Sequence, residues 1–420
     1  MAMSLAFHIL FAVAGIAMPL LMVLAEGMWR RTGEAVWLEL AKRWSKGVAI
    51  LFGVGAVSGT VLSFELGLLW PGFMEFAGPI IGMPFSLEGF AFFLEAIFLG
   101  VYLYGWEKVS PRVHLASGVG VLVCGMLSGI FVVCANAWMN TPAGYGFDAD
   151  GELWVDVWTA MWNPSAVASG LHMTVASFEA VGFAVAGMHA FGLLRAPDSV
   201  FHRSALRIAL PVACVAAVLQ LFTGHHSAQQ IAENQPLKLA AAEAQWETQT
   251  RAPLTLGGWP DEEAEETTLG LEIPGALSLL AFNSLDAEVQ GLEEWEPEDR
   301  PPIAVVHVAY QLMIGAGMTL LGVAGLALVL RLRKRGWPTW FLRLLILVSP
   351  LGLVAIEAGW TVTEVGRQPW VIVGVMRTAD AVTPMPHLVV PFTLFSLLYA
   401  VLGVVVVVLL RRHLYLTVPA

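Results

Sequence analysis

A chain of 420 residues that is 57% hydrophobic and only 13% charged is too apolar for a soluble globular protein, in which about 25% of residues carry charge. Its mean hydropathy of +0.71 places it in a membrane, and a net charge of −11 gives nucleic-acid binding no support. The three cysteines, Cys124, Cys134 and Cys214, sit inside apolar runs without CxxC spacing, so they read as buried thiols and not as a disulfide or metal site.

Crossing the hydrocarbon as a helix takes roughly 20 apolar residues. About nine such runs follow in order, near 4–28, 47–69, 84–105, 115–138, 166–194, 205–224, 303–330, 341–361 and 389–410. The expected fold is therefore an all-α polytopic membrane protein. The first run begins almost at residue 1, without a basic leader or a small-residue cleavage site, and reads as a retained helix. Basic residues set the orientation. Those after runs one, three, five, seven and nine (Arg30, Arg31, Lys42, Arg43, Lys46; Lys108, Arg112; Arg195, Arg203, Arg207; Arg331, Arg333, Lys334, Arg335, Arg343; Arg411, Arg412) put 17 of the 22 Lys and Arg on one face. The positive-inside rule makes that face cytoplasmic, with the N-terminus outside and the C-terminus inside. Residues 1–224 then carry helices one to six, 225–302 form an extracytoplasmic loop, and 303–420 carry helices seven to nine. Two acidic runs in the loop, DEEAEE (Asp261–Glu266) and LEEWEPED (Leu292–Asp299), read as solvated surface in preference to a cation site.

Ionisable residues at membrane depth are costly and point to function. His8 lies near the outer end of the first helix, where an interfacial histidine is the other reading. Glu88 and Glu95, in SLEGFAFFLEA, are seven residues apart, so both fall on one helical face about 10 Å from each other, which suits a proton relay. His172 (LHMTVAS) and Met313 (YQLMIG) enter their helices from the outer side at similar depth. An imidazole and a thioether facing each other can ligate a six-coordinate haem; a hydrogen-bonded core histidine and a packing methionine are the plainer alternatives. Glu179 follows His172 by seven residues, as a bundle acid or a second proton carrier. In the loop, Lys238 and Glu243 beside Trp246 are a cation and a base that could bind and deprotonate a quinol, or part of an amphipathic surface helix. The stretch EAGWTVTEVGRQPW (Glu357–Trp370) then sets Glu357, Trp360, Glu364 and Arg367 at the membrane edge. Glu364 is a possible haem ligand and Arg367 a possible propionate partner, unless the two only pair with each other.

EAGW and GRQPW resemble the signature of subunit I of cytochrome bd-type quinol oxidases. FHILF at His8, EGFAFFLE, ANAWMNTP (Ala135–Pro142), LHMTVAS, QPLKLAAAEAQWET and QLMIG are similar to further family segments in the same order, so the resemblance covers nearly the whole chain. It implies that His172 and Met313 ligate haem b558, and that His8 and Glu364 serve the high-spin pair, haem b595 and haem d (or a third haem b). Trp360 and Arg367 would contact cofactor, Glu88 and Glu95 would belong to the proton route, and Lys238 and Glu243 to quinol oxidation. It also implies subunit II as a partner, a small single-helix subunit as a further one, and a bacterial or archaeal cytoplasmic membrane. The implied reaction is oxidation of quinol at the outer face with reduction of O2 to water and generation of proton motive force. The alternatives are a bd-like haem protein with another acceptor or no quinol activity, and a haem-free transporter. Three departures stand out: only seven residues precede His8, Gln311 replaces an arginine common in relatives, and the loop is of the short type. Glu179, Glu357 and Gln311 are left without a role.

Overall fold

The computed structural model describes residues 1–333 and 336–412, so Lys334 and Arg335 of the basic cluster after the seventh run lie outside the described residues. Among the described residues, nine helical spans are long and apolar enough to cross a membrane. They are α1 (Ala2–Thr32), α2 (Ala35–Leu69), α3 (Pro71–Tyr104), α4 (Pro111–Asn140), α6 (Ala166–Arg195), α7 (Val200–Asn234), α10 (Ile303–Leu332), the broken pair α11 (Thr339–Val348) and α12 (Leu351–Val365), and α14 (Val389–Leu410). Short helices lie between them: α5 (Val157–Met161), α8 (Pro236–Glu243), α9 (Ala276–Phe282) and α13 (Thr378–Ala381).

The helices overrun the apolar windows, because polar residues continue a helix at no cost once it leaves the hydrocarbon. α2 thus begins at Ala35 and not near 47, and α7 continues to Asn234, taking GHHSAQQIAEN into its last turns. Local chemistry sets several ends. Ser110 caps α4 ahead of a proline at its first position, and Asp156 caps α5 by accepting from the backbone of Trp158 and Thr159. Pro350 lacks an N–H and divides the eighth span into α11 and α12. The start of α1 is pinned: Ser4 donates to the buried Glu65 of α2 at 2.6 Å.

Helices in lipid gain nothing from hydrophobic burial against one another, so they associate by close contact of small residues. α6 is the most enclosed span and α14 the least. A methyl at Gly182 of α6 would come within 2.9 Å of Ala213 on α7, and one at Gly352 of α12 within 2.5 Å of the Ala180 backbone on α6. The largest apolar cluster, including Leu21, Met22, Leu40, Phe183, Leu206, Leu320 and Phe341, lies mostly in the half of the bundle nearest the basic loops and reaches Ile9 near the start of α1. Every candidate ligand lies in the other half.

That other end carries the loops. The all-helical expectation holds for the spans, and among the described residues four small two-stranded sheets are added: β1 (Tyr145–Phe147) with β2 (Leu153–Val155), β3 (Gln249–Thr250) with β6 (Glu288–Val289), β4 (Leu254–Asp261) with β5 (Glu266–Ile273), and β7 (Trp370–Ile372) with β8 (Met376–Arg377). β4 and β5 pair antiparallel from Leu254↔Ile273 to Asp261↔Glu266, so the acidic run DEEAEE forms the exposed hairpin tip. Its turn is closed by Asp261, whose carboxylate accepts from the backbone of Glu263 and Ala264.

Candidate functional site

The candidate residues come together on helices that touch. His172 on α6 and Met313 on α10 belong to helices that both pack on α7 and α12. The Gln220 amide of α7 lies 3.1 Å from His172 Nδ1 and 3.3 Å from Nε2. Gly224 and Gly359 face these two side chains: a methyl at Gly359 would sit 2.9 Å from the Met313 sulfur, and one at Gly224 3.5 Å from the imidazole.

His8 of α1 faces α2, where its Nδ1 is 2.9 Å from Ser58 Oγ. Ser58 already donates to the Val54 carbonyl at 3.0 Å, so it accepts from His8. That fixes the proton on Nδ1 and leaves Nε2 with its lone pair, the state a ligating imidazole needs.

Glu364 is held near the end of α12. Asn136 of α4 donates to its Oε1 at 2.5 Å, and Arg367 pairs with its Oε2. Arg367 is 7% exposed, yet its Nε and Nη1 are buried without a partner. Unpaired guanidinium donors at this depth call for further anionic oxygens. The donor set of two imidazoles, a thioether and a carboxylate, with an arginine aimed into the same region, fits haem iron and haem propionate. The Glu364–Arg367 pair and the free donors of Arg367 coexist. The following segment is tied down by Thr378, which donates to Gln368 at 2.7 Å, and by Arg377, which lies over the Trp370 ring and pairs with Asp299.

Glu88 and Glu95 both turn toward α4. Ser128 donates to Glu88 at 3.4 Å, and the buried Glu95 carboxylate packs where a methyl at Gly125 would lie 3.4 Å from its Oε1. Glu179 and Glu357 each have a buried carboxylate oxygen without a partner. Glu357 lines a cavity of about 810 Å³ between α1, α10, α12 and the β4–β5 hairpin, with Leu10, Trp259, Val308, Leu312 and Thr361. That cavity is almost wholly apolar, and none of the four candidate ligands lines it.

Lys238 and Glu243 are both buried on α8 but have different neighbours. Lys238 donates to Asn140 of α4 and to Gln235, at the latter over 2.5 Å. Burial, with Arg367 nearby, lowers its pKa to about 7. Glu243 accepts from the Tyr310 hydroxyl of α10 at 2.6 Å, while its Oε2 is buried without a partner. Burial raises its pKa to about 7, against the pull of the Tyr310 bond. A cation and a base of this kind, each near neutrality in its titration, suit proton removal from a hydroxyl.

α8 is clamped from above. His307 of α10 bonds the carbonyls of Ala242 and Gly257, each at 2.9 Å. Gln311 accepts from Gly257 N at 3.0 Å and donates to Thr255 O at 2.8 Å, so it fastens β4 to α10 two residues before Met313. Asn136, Asn140, Ser58, Gln220 and Tyr310 were not singled out from sequence. Three of them lie inside quoted motifs, but a neutral side chain carries no signal of cost that would separate it from packing.

The family model described as cytochrome bd terminal oxidase subunit I matches residues 1–417. A Bacillus subtilis (strain 168) protein named as a cytochrome bd menaquinol oxidase subunit I is 38% identical, covering 98% of this chain and 95% of its own length. The cytochrome bd ubiquinol oxidase subunit 1 of the same organism is 29% identical (97% and 90%), and the cytochrome bd-II ubiquinol oxidase subunit 1 of Escherichia coli (strain K12) is 27% identical (98% and 94%). Among solved structures, the bd oxidase of Geobacillus thermodenitrificans superposes with a TM-score of 0.93 at 38% identity, over 98% of this chain and 96% of that one.

Proposed function

Because this chain belongs to the cytochrome bd terminal oxidase subunit I family, a family of haem-bearing membrane quinol oxidases, we propose a specific division of labour among its residues. The loop-bearing end faces outward and the basic end faces the cytoplasm, in the inner membrane of a bacterium or archaeon. Residues 225–302 receive the quinol. Lys238 binds a quinol oxygen, and Glu243 takes a hydroxyl proton through its free Oε2 and releases it outside. His172 and Met313 hold haem b558, His8 and Glu364 ligate the high-spin pair of haem b595 and haem d (or a third haem b), and Arg367 and Trp360 contact cofactor. When bound, these haems supply one-electron transfer and the reduction of O2 to water. Glu88 and Glu95 carry protons from the cytoplasmic side toward that reduction. Release on one face and uptake from the other moves charge worth about 2.3 kcal/mol per elementary charge per 100 mV without a pump. Subunit II, and a small single-helix subunit, complete the enzyme.

The observation that carries this reading is α8, which places a buried base with a free oxygen and a buried ammonium at the end of the bundle where the ligand candidates lie. Purified oxidase supplied with a reduced quinol tests it. Lys238→Ala and Glu243→Ala are expected to lose at least 100-fold in quinol oxidation, on the order of a general base's share, with haem content intact. His172→Ala is expected to lose the b558 α-band. Native turnover in both loop variants would sink the quinol assignment, and an unchanged α-band would sink the ligand assignment.

A further inference from the structure

ANAWMNTP was matched as a motif, yet no role in the reaction falls to its asparagines. The structure shows what they touch. Asn136 and Asn140 are one turn apart on α4 and share a face. Asn136 Nδ2 donates to Glu364 Oε1 at 2.5 Å. Asn140 Nδ2 is 2.9 Å from the Asn136 carbonyl and 3.4 Å from Asn136 Oδ1, and Asn140 Oδ1 accepts from the Lys238 ammonium. Asn140 is 4% exposed and Lys238 5%, so water does not substitute for these bonds.

The ends fix the direction of the chain. A carboxylate only accepts and an ammonium only donates. Asn136 must therefore present N–H to Glu364, and Asn140 must present its oxygen to Lys238. The amide N–H of Asn140 is left to meet Asn136. Every bond points the same way, from the cation to the anion, and bonds so aligned reinforce one another. Lys238 uses two of its three N–H groups on Asn140 and Gln235, which leaves one for a substrate oxygen.

We propose that Asn136 is a positioning residue that holds the Glu364 carboxylate toward its haem iron, and that Asn140 joins it to Lys238, so that quinol loop and high-spin haem ligand form one hydrogen-bonded unit. This rests on the assignment of Glu364 as a ligand and Lys238 as a quinol residue. An N–H bond draws electron density from the carboxylate. Without it the carboxylate is a stronger donor to iron and favours the oxidised metal.

The test is a redox titration of the assembled oxidase, followed by visible spectra. The haem that Glu364 binds is the one whose band is lost in Glu364→Ala. Asn136→Ala is expected to lower the midpoint potential of that haem by about tenfold in its reduction equilibrium, roughly 59 mV for a one-electron couple, with the b558 potential unmoved. Asn140→Ala is expected to move it in the same direction by less, and carries the test alone if Asn136→Ala does not assemble. A merely structural role would change haem content and leave the potential of the retained haem where it was. Native potentials in the asparagine variants, beside a lost band in Glu364→Ala, overturn the relay. A Glu364→Ala protein with every band intact overturns the ligand assignment beneath it.

Discussion

At the scale of single residues, the proposed chemistry rests on side chains whose ordinary ionisation is disturbed by where they are buried. Glu243 and Lys238 lie outside the membrane spans and are still enclosed, and burial pushes both toward neutrality, to about 7 from opposite sides. As the proposed base, Glu243 works only when ionised, so its contribution would rise with pH through about 7. Lys238 binds oxygen best as an ammonium, so its contribution falls through the same range. Quinol oxidation is therefore expected to peak near neutrality. Tyr310 supplies a handle on one limb. Its hydroxyl bond favours the Glu243 anion, so Tyr310→Phe removes that support and raises the Glu243 pKa. A bond to a charged group is worth about 1.5–3 kcal/mol and one pKa unit about 1.4 kcal/mol, so the acidic limb should move up by about one to two units. A pH–rate profile with an unmoved acidic limb would count against Glu243 as the base.

Among elements, the β4–β5 hairpin and α8 matter most, and both are held by polar residues of α10. Gln311 is the residue that fastens the hairpin to α10. Its side-chain amide makes two bonds to the β4 backbone. Gln311→Ala forfeits both, at about 1 kcal/mol each. The hairpin should then open on the order of 30-fold more often, and cleavage at its acidic tip by a glutamate-specific protease should accelerate to match. A native cleavage rate would mean that His307 and the strand ladder suffice. The anchoring was hidden in the sequence. Gln311 and Gly257 are 54 positions apart, and a glutamine amide facing two backbone groups has no pattern of its own.

Across the whole molecule, the bundle is divided along its length. The half adjoining the basic loops is mostly a close-packed apolar cluster with a buried Glu26–His114 pair, and the other half holds His8, His172, Met313, Glu364 and the orphaned atoms of Glu243 and Arg367. This separation suits a protein that keeps its redox groups near one membrane face and needs a route for protons from the other. It also gives a topology prediction. A cysteine placed at Glu265 on the hairpin tip of intact cells should react with a membrane-impermeant maleimide, and one at Lys46 should not. Reversed labelling would invert the proposed orientation. Large apolar side chains remain exposed on α2, α3 and α14, including Phe64, Phe90, Phe93 and Val404, as expected of surfaces that meet lipid or a partner subunit.

Nine spans among the described residues are legible in the amino-acid order alone, because apolar length is a local property that needs no partner to be read. That order also pointed to the charged residues at membrane depth, since each stands out against an apolar run. The quoted motifs led to the family that the comparisons bear out. What those charges do with one another emerges only where the helices pack. His8 takes its tautomer from Ser58 on a second helix, Arg367 is paired on one side and free on the other, and Glu364 is tied through two asparagines to a lysine on α8. A hydrogen bond between residues 98 or 228 positions apart leaves no period or spacing in the chain. It exists only once close packing of small residues has fixed which helix faces touch.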